Sequence, residues 1–238
     1  MSTPGASSGT YNFNLANSQI VVEAYDRIGM RPTELDRHHF NSARTSLNLE
    51  LMSWSNQGIN LWKIVSGTIN LVASQSVYTL PANIITITDL WFTTVGAAAP
   101  SQSTDRLLTP LTRSEYAALP MKLMPGTPTS YWFQRLQVPQ VTIWQPPQYG
   151  APNYVCNWYG LQQIQDAGIG GGETPDVVDR GLDALCAGMA VRLASKFAPD
   201  RQQMKMQEQA VAWEAFTRTD QEQGPVIFSP TFSGYTRL

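Results

Sequence analysis

The sequence predicts an α+β fold: a four-helix antiparallel bundle made from the N- and C-terminal helices, an inserted antiparallel β-sandwich or barrel-like domain, and an extended C-terminal arm. Three observations predict this fold. Apolar residues recur every three or four positions in residues 15–60 and 167–222, which is the period of amphipathic helices. Residues 61–166 contain short β-branched segments separated by proline and glycine, a pattern typical of antiparallel sheets. Residues 223–238 show neither period and are predicted to be the extended arm.

The N-terminal part of the chain is predicted to be a flexible arm, residues 1–14, followed by a helical hairpin, residues 15–60. The apolar stripe of the first helix consists of Ile20, Ala24 and Ile28. Thr33 and Asp36 have the spacing of a capping box, which predicts that the second helix starts at Thr33. Two amphipathic helices joined by a short turn are expected to pack against each other.

The middle of the chain, residues 61–166, is predicted to form the inserted β domain. Ser66 and Gly67 separate two β-rich runs, residues 61–65 and 68–72. This spacing predicts a hairpin turn at the Ser-Gly pair. Further strands are predicted at residues 76–80, 84–94, 107–111, 130–135, 140–145 and 153–164.

The C-terminal part, residues 167–222, is predicted to form the second helical hairpin of the bundle. The glycine-rich segment at its start is predicted to be a hinge, through Gly168, Gly170, Gly171 and Gly172. Thr174 is a suitable N-cap and Pro175 suits a first helical turn, so the third helix is predicted to begin there. In the last helix, helical spacing predicts a buried face that consists of Met206, Ala210 and Trp213.

The composition is poor in charge. The chain has 238 residues with 16 basic and 18 acidic side chains, and charged residues make up 14% of it, against a usual share of about 25%. Only eight of them lie among the 105 residues 61–165. The many aromatics and low charge argue against a disordered chain, and the slight acidity argues against a highly basic nucleic-acid binder. We therefore expect other molecules to cover part of the middle region.

The sequence predicts neither catalysis nor a cofactor or metal site. His38 and His39 are adjacent, and adjacent helical residues point about 100° apart, so they do not readily share a metal ion. The glycine-rich segment lacks the Gly-Lys-Ser/Thr of a phosphate-binding loop. Cys156 and Cys186 match no metal spacing, which predicts two free thiols. We predict a protein that is not an enzyme and, because no run of about 18 apolar residues exists, has no membrane anchor.

The C-terminal arm is predicted to lie on another surface. Residues 225–238 contain one charged residue, and their aromatics are separated by prolines, so they cannot form a core of their own, yet exposure of the aromatics would reduce solubility. The predicted interface residues are Phe228, Phe232, Tyr235, Arg237 and Leu238. The alternative interpretation of the segment is a frayed terminus.

Several short motifs follow one another in an order that resembles a known family. The helix that contains Trp54 runs into a Trp-x-x-x-Gly pattern that ends at Gly58. The later motifs are Gln-x-x-Tyr-x-Leu-Pro at residues 75–81, a Pro-Thr phrase at 128–133 and Trp-Gln-Pro-Pro at 144–147. Over residues 15–220 the chain resembles the head-to-tail adaptor proteins of short-tailed bacteriophages, also called connectors, tail accessory factors or tail tubular proteins.

The resemblance implies a structural protein of the virion at the head–tail junction, present in the host cytoplasm before assembly. Such proteins are similar in having a helical bundle with a β insertion, and they form a ring, usually of twelve copies, beneath the portal. The resemblance therefore implies four partners: further copies of the chain, the portal protein, distal tail nozzle or fibre proteins, and double-stranded DNA that passes through non-specifically. The terminal arms lie outside the resemblance, and we hypothesise that the C-terminal arm docks on the portal or on an adjacent copy.

Two other functions remain open on the sequence. A more distal tail-tube or nozzle component is also structural, but the helix-rich frame argues against it because tube proteins that stack are expected to be dominated by a sheet. A carbohydrate-binding virion protein would use exposed tryptophans of the β domain to stack on sugars. Paired catalytic carboxylates, which a lytic enzyme would need, are not evident.

Overall fold

The computed structural model describes residues 13–57, 61–94 and 103–219. Within this part of the chain, the α-helices are α1 Asn17–Arg27, α2 Arg37–Gln57, α3 Arg113–Ala118, α4 Leu182–Phe197 and α5 Gln202–Thr219. The strands are β1 Ile64–Asn70, β2 Val77–Thr79, β3 Ile84–Thr94, β4 Thr104–Leu107, β5 Thr109–Pro110, β6 Ser130–Gln134, β7 Gln140–Trp144 and β8 Tyr154–Gln162. The predicted α+β class is confirmed, whereas the predicted domain boundaries stay a prediction.

Helix α4 is the centre of the helical part. It packs against α1, α2 and α5, and ten of its sixteen residues are buried. Alanine and glycine occupy many of these positions, which lets neighbouring helices approach closely on several sides. The spacing of the apolar residues predicts one stripe, which consists of Val178, Leu182, Leu185, Met189, Leu193 and Phe197. The four middle residues of this stripe lie in the core, and Val178 and Phe197 are partly buried against it.

The starts of two helices differ from the prediction. Asp36, and not Thr33, caps α2: the backbone N–H of His39 donates to Asp36 Oδ1 at 2.9 Å. Donation from that N–H, and then from the His39 ring, lowers the pKa of the Asp36 carboxyl. The prediction of a helix start at Thr174 and Pro175 is also wrong, since a 3₁₀ turn, Asp179–Gly181, leads into α4.

The strands form two four-stranded sheets. The first sheet has the order β1-β8-β3-β4 and the second β2-β7-β6-β5. All of these pairs are antiparallel except β5 with β6, which is parallel. Side chains from both sheets share one buried core, which includes Ile69, Leu90, Phe92, Tyr131, Val141, Ile143, Cys156 and Trp158.

The predicted hairpin turn at Ser66 and Gly67 is wrong, because β1 runs straight through both residues and pairs with β8. Gly67 lies opposite Trp158 in the register. A Cβ atom on residue 67 would lie 2.3 Å from Cζ2 of the Trp158 ring. The glycine is therefore explained by the space that this indole occupies, not by a turn.

The buried face of α5 also differs from the prediction. Met206 is 53% exposed and Ala210 is exposed, while Trp213 is partly buried. The inward positions are instead Lys205 and Phe216, which are 7% and 3% exposed. Burial of Lys205 is tolerated because its ammonium donates to both carboxylate oxygens of Glu208, at 2.8 and 2.9 Å.

We expect Gly67→Ala to destabilise the protein by about 1–3 kcal/mol, the usual cost of forcing an extra group into a packed core. Chemical denaturation measured by tryptophan fluorescence gives the free energy of unfolding. Gly172→Ala is the matched control, since nothing lies within 4 Å of a Cβ at that position. Equal stability of the two variants would contradict the assignment of Gly67 to the Trp158 contact.

Candidate interaction surfaces

A buried carboxylate connects three helices of the helical core. Glu50 on α2 is 3% exposed. Its side chain accepts hydrogen bonds from Trp54 Nε1 at 3.0 Å and from Gln209 Nε2 at 3.5 Å, and it forms an ion pair with Arg192. Since Arg192 is on α4 and Gln209 on α5, one side chain sets the relative position of α2, α4 and α5.

Room for this carboxylate comes from Gly188 on α4. A Cβ atom at Gly188 would lie 2.3 Å from Glu50 Oε1. The Glu50 carboxylate has partners on several sides. A buried carboxylate needs them because an unpaired charge is costly to hold away from water. Sequence reasoning missed Glu50, although its i, i+4 spacing to Trp54 places both residues on one face of α2.

A second set of polar contacts joins the helices to the sheets. Lys63, just before β1, is 7% exposed and pairs with Asp176. Asp176 Oδ2 also accepts from the backbone N–H of Gln165 at 3.0 Å. Ser55 Oγ accepts from the N–H of Ile164 at 3.2 Å, so α2 holds the chain as it leaves β8.

The predicted hinge segment caps helix α1. The backbone N–H of Ser18 donates to the carbonyl of Gly171 at 2.9 Å, and that of Asn17 to the carbonyl of Glu173 at 2.8 Å. These bonds satisfy N–H groups of the first turn, which have no partner within a helix. Gly168 has φ +65°, a backbone conformation that favours glycine. Hinge motion at Gly168, Gly170, Gly171 and Gly172 stays a prediction.

The predicted interface residues Phe228, Phe232, Tyr235, Arg237 and Leu238 lie outside the described residues. Within the described part of the chain, three of the surfaces to which apolar side chains contribute lie on or beside the helices. A groove of about 620 Å³ beside α1 and α4 is lined by Leu15, Val22, Phe40 and Leu182. The outer side of α5 exposes Met204, Met206 and Val211, and the loop after α3 exposes Met121, Leu123 and Met124.

The thiols and histidines occupy structural positions. Burial raises the pKa of Cys156 to about 12 and that of Cys186 to about 11, so both thiols are protonated at neutral pH. His39 Nδ1 lies 2.6 Å from Asp36 Oδ1, at the start of α2. Among residues 13–57, 61–94 and 103–219, no group of three or more His, Cys, Asp and Glu could hold a metal ion. No helix in the same ranges is long and apolar enough to span a membrane.

We expect Arg192→Met to destabilise the protein by about 2–4 kcal/mol, because loss of one partner from a buried pair costs about 3–5 kcal/mol and the Arg192 side chain is 33% exposed. Urea denaturation measures the change. Arg218→Met is the control, since Arg218 pairs with Glu214 on the surface, where a pair contributes about 0–1 kcal/mol. Similar losses in both variants would contradict the role assigned to Glu50.

Most of the chain matches a known protein family. No curated protein matches the chain. The model of the SU10 adaptor protein family matches residues 34–228, more than four-fifths of the sequence. The matched range covers the two sheets and helices α2 to α5. The chain therefore belongs to the SU10 adaptor protein family, a family of phage head–tail adaptors.

Proposed function

We propose that the protein forms a ring of about twelve copies below the portal, joins the capsid to the tail, extends the DNA channel and helps to retain and deliver packaged DNA. The observation that carries this proposal is the family match over residues 34–228. In this role the protein is a component of the virion that acts through interfaces and not through catalysis. Its partners are further copies of itself, the portal protein and distal tail nozzle or fibre proteins.

The proposed ring is built by side-by-side packing of four-helix antiparallel bundles that consist of α1, α2, α4 and α5. Helices α1 and α5 both pack on α4, and each has apolar side chains at the surface beside it. A groove is present beside α1, whereas Met204, Met206 and Val211 project from α5. Two different surfaces that fit each other form a head-to-tail contact, and such contacts close into rings when the rotation allows.

The proposed lumen is neutral or mildly acidic. The chain has a formal net charge of −2, so it offers no excess of lysine and arginine for a DNA-binding wall. Each lysine or arginine bound to a phosphate would add affinity and retard the DNA. A lumen poor in such contacts supports the proposal that DNA slides through the ring without recognition of its sequence.

The C-terminal arm provides the proposed attachment. In the assembled ring, Phe228, Phe232 and Tyr235 dock on the portal or on an adjacent copy. Hydrophobic burial drives this docking, at about 1.5–3 kcal/mol for each large side chain that becomes fully buried. The β domain then faces the distal tail, where its sparse charge suits surfaces that are covered by other proteins.

Negative-stain imaging of the purified chain, alone and mixed with portal protein, tests the proposed assembly. We expect rings of about twelve copies on the portal, because the proposed ring assembles below it. Portal protein alone is the control. A chain that remains a monomer in the presence of portal would contradict the proposal.

Deletion of residues 225–238 is expected to reduce assembly on portal-bearing capsids while leaving the fold intact. Co-sedimentation with such capsids measures assembly, and circular dichroism checks the fold. A second variant changes Phe228, Phe232 and Tyr235 to serine, and its control changes Thr231 and Thr236 to serine. Full-strength binding by the deleted chain, or equal binding by the two substituted chains, would refute the role of the arm.

A further inference from the structure

The four outer edges of the two sheets differ in how they are protected. In the first sheet the edge strands are β1 and β4, and in the second they are β2 and β5. Strand β4 contains Asp105 and Arg106, and β5 contains Pro110. Strands β1 and β2 contain no charged residue and no proline. Charge and proline are the usual defence of a sheet edge against pairing with other chains. Strands β1 and β2 lack this defence, and no strand among the described residues pairs with their outer edges, so we call these edges open.

The two open edges flank one cleft. The cleft has a volume of about 630 Å³ and runs along β1 and β2. None of its sixteen lining residues is charged. Val77 on β2, which is 41% exposed, lines the cleft, as do the buried side chains of Tyr78, Leu80 and Ile84. The surface therefore suits an uncharged, extended segment that has apolar side chains.

The C-terminal segment leaves the described structure near the start of β1. Phe216, in the last turn of α5, has its ring centroid 5.5 Å from that of Trp62. Trp62 is two residues before the start of β1. Residues 220–238 follow α5, and a fully extended chain of this length spans about 60 Å at 3.3–3.6 Å per residue. Strand β1, with seven residues, is only about 23 Å long.

The sequence of this segment matches the chemistry of the cleft. Residues 226–229 are Val-Ile-Phe-Ser, between prolines at 225 and 230. In an extended chain, Val226 and Phe228 project to one side and Ile227 and Ser229 to the other. The backbone N–H and C=O groups of a four-residue run can pair with a free strand edge, which is the mode of peptide binding by strand addition.

We propose that, in the isolated subunit, residues 226–229 add to β1 of the same chain as a fifth strand of the first sheet, with Val226 and Phe228 in the cleft. Because the contact between Phe216 and Trp62 lies near the start of β1, the added strand in this proposal runs parallel to β1. This inference goes beyond the proposed function: the arm that docks on the portal or a neighbour is first held by its own subunit, and it covers an edge that would otherwise pair with other chains.

A disulfide trap tests the proposal in the full-length protein. Ser66 is exposed on β1, so Ser66→Cys and Ser229→Cys are combined in one chain. Cys156 and Cys186 are buried and stay out of the reaction. The matched control combines Asp105→Cys, on the opposite edge of the same sheet, with Ser229→Cys. Oxidation is followed by non-reducing electrophoresis and intact mass at micromolar protein.

We expect an intramolecular disulfide in the Ser66 pair and little in the Asp105 pair. A tethered segment has an effective concentration of about 1 mM, which favours the intramolecular bond by about a thousandfold over bonds between chains at micromolar protein. Equal trapping of the two pairs, or no trapping of the Ser66 pair, would overturn the proposal. Bonds only between chains would also overturn it, because the occupant would then be a second copy.

Amide hydrogen exchange provides a second measurement that needs no introduced cysteine. We expect slower exchange in β1 of the full chain than in a chain that ends at residue 224, and no difference in β4. Equal exchange of β1 in both chains would overturn the proposal. If rings form on the portal but the Ser66–Ser229 disulfide does not form, this inference alone is refuted. If the disulfide forms but no ring assembles on the portal, the proposed function alone is refuted.

Discussion

The buried ion pair between Glu50 and Arg192 is the constraint on which the helical part depends. A carboxylate that is 3% exposed is tolerated only with partners on several sides, since an unpaired buried charge is very costly. Those partners come from α2, α4 and α5, so the three helices cannot shift independently. Gly188 completes the arrangement because any larger residue would fill the space of the carboxylate. Apolar burial contributes most of the stability, but it is non-directional, and the pair selects one relative position of the helices.

The position of the sheets follows from that of α2. Ser55 accepts from the backbone that leaves β8, and Asn48 Oδ1 accepts from the N–H of Ala167 at 2.7 Å. The Lys63–Asp176 pair closes the other side, where the chain enters β1. The chain is thus attached to the helical part both where it enters β1 and where it leaves β8. A change in the helical core should therefore be transmitted to the sheets through polar contacts that have defined directions.

The sequence predicts the class of the fold better than the details of its contacts. Periodic apolar residues were sufficient for the stripe of α4, because burial on several sides leaves a strong pattern. Gly67 was wrongly assigned to a turn, since its neighbour Trp158 lies 91 positions later and only the register brings them together. Asp176 lies two residues after the predicted N-cap Thr174, but it forms tertiary contacts with Lys63 and Gln165 and is not part of a first helical turn. The face of α5 was misplaced because a buried lysine with its own carboxylate partner does not look apolar. Glu50 was missed for the same reason, as charge normally indicates a surface.

The shortage of charge in the middle of the chain has a consequence for assembly. A surface without charge is a liability while the subunit is free and an advantage once a partner covers it. In the proposal, the C-terminal segment covers the β1 edge before assembly and docks on another molecule afterwards. Docking is therefore less favourable by the free energy of the contacts with β1 that the segment gives up. Association already carries free-energy costs from lost motion and ordering. Competition from the β1 edge for the C-terminal segment therefore weakens encounters between free subunits more than docking on a portal, which engages many arms at once. An uncharged edge covered by its own chain would therefore favour assembly at the portal over assembly in solution.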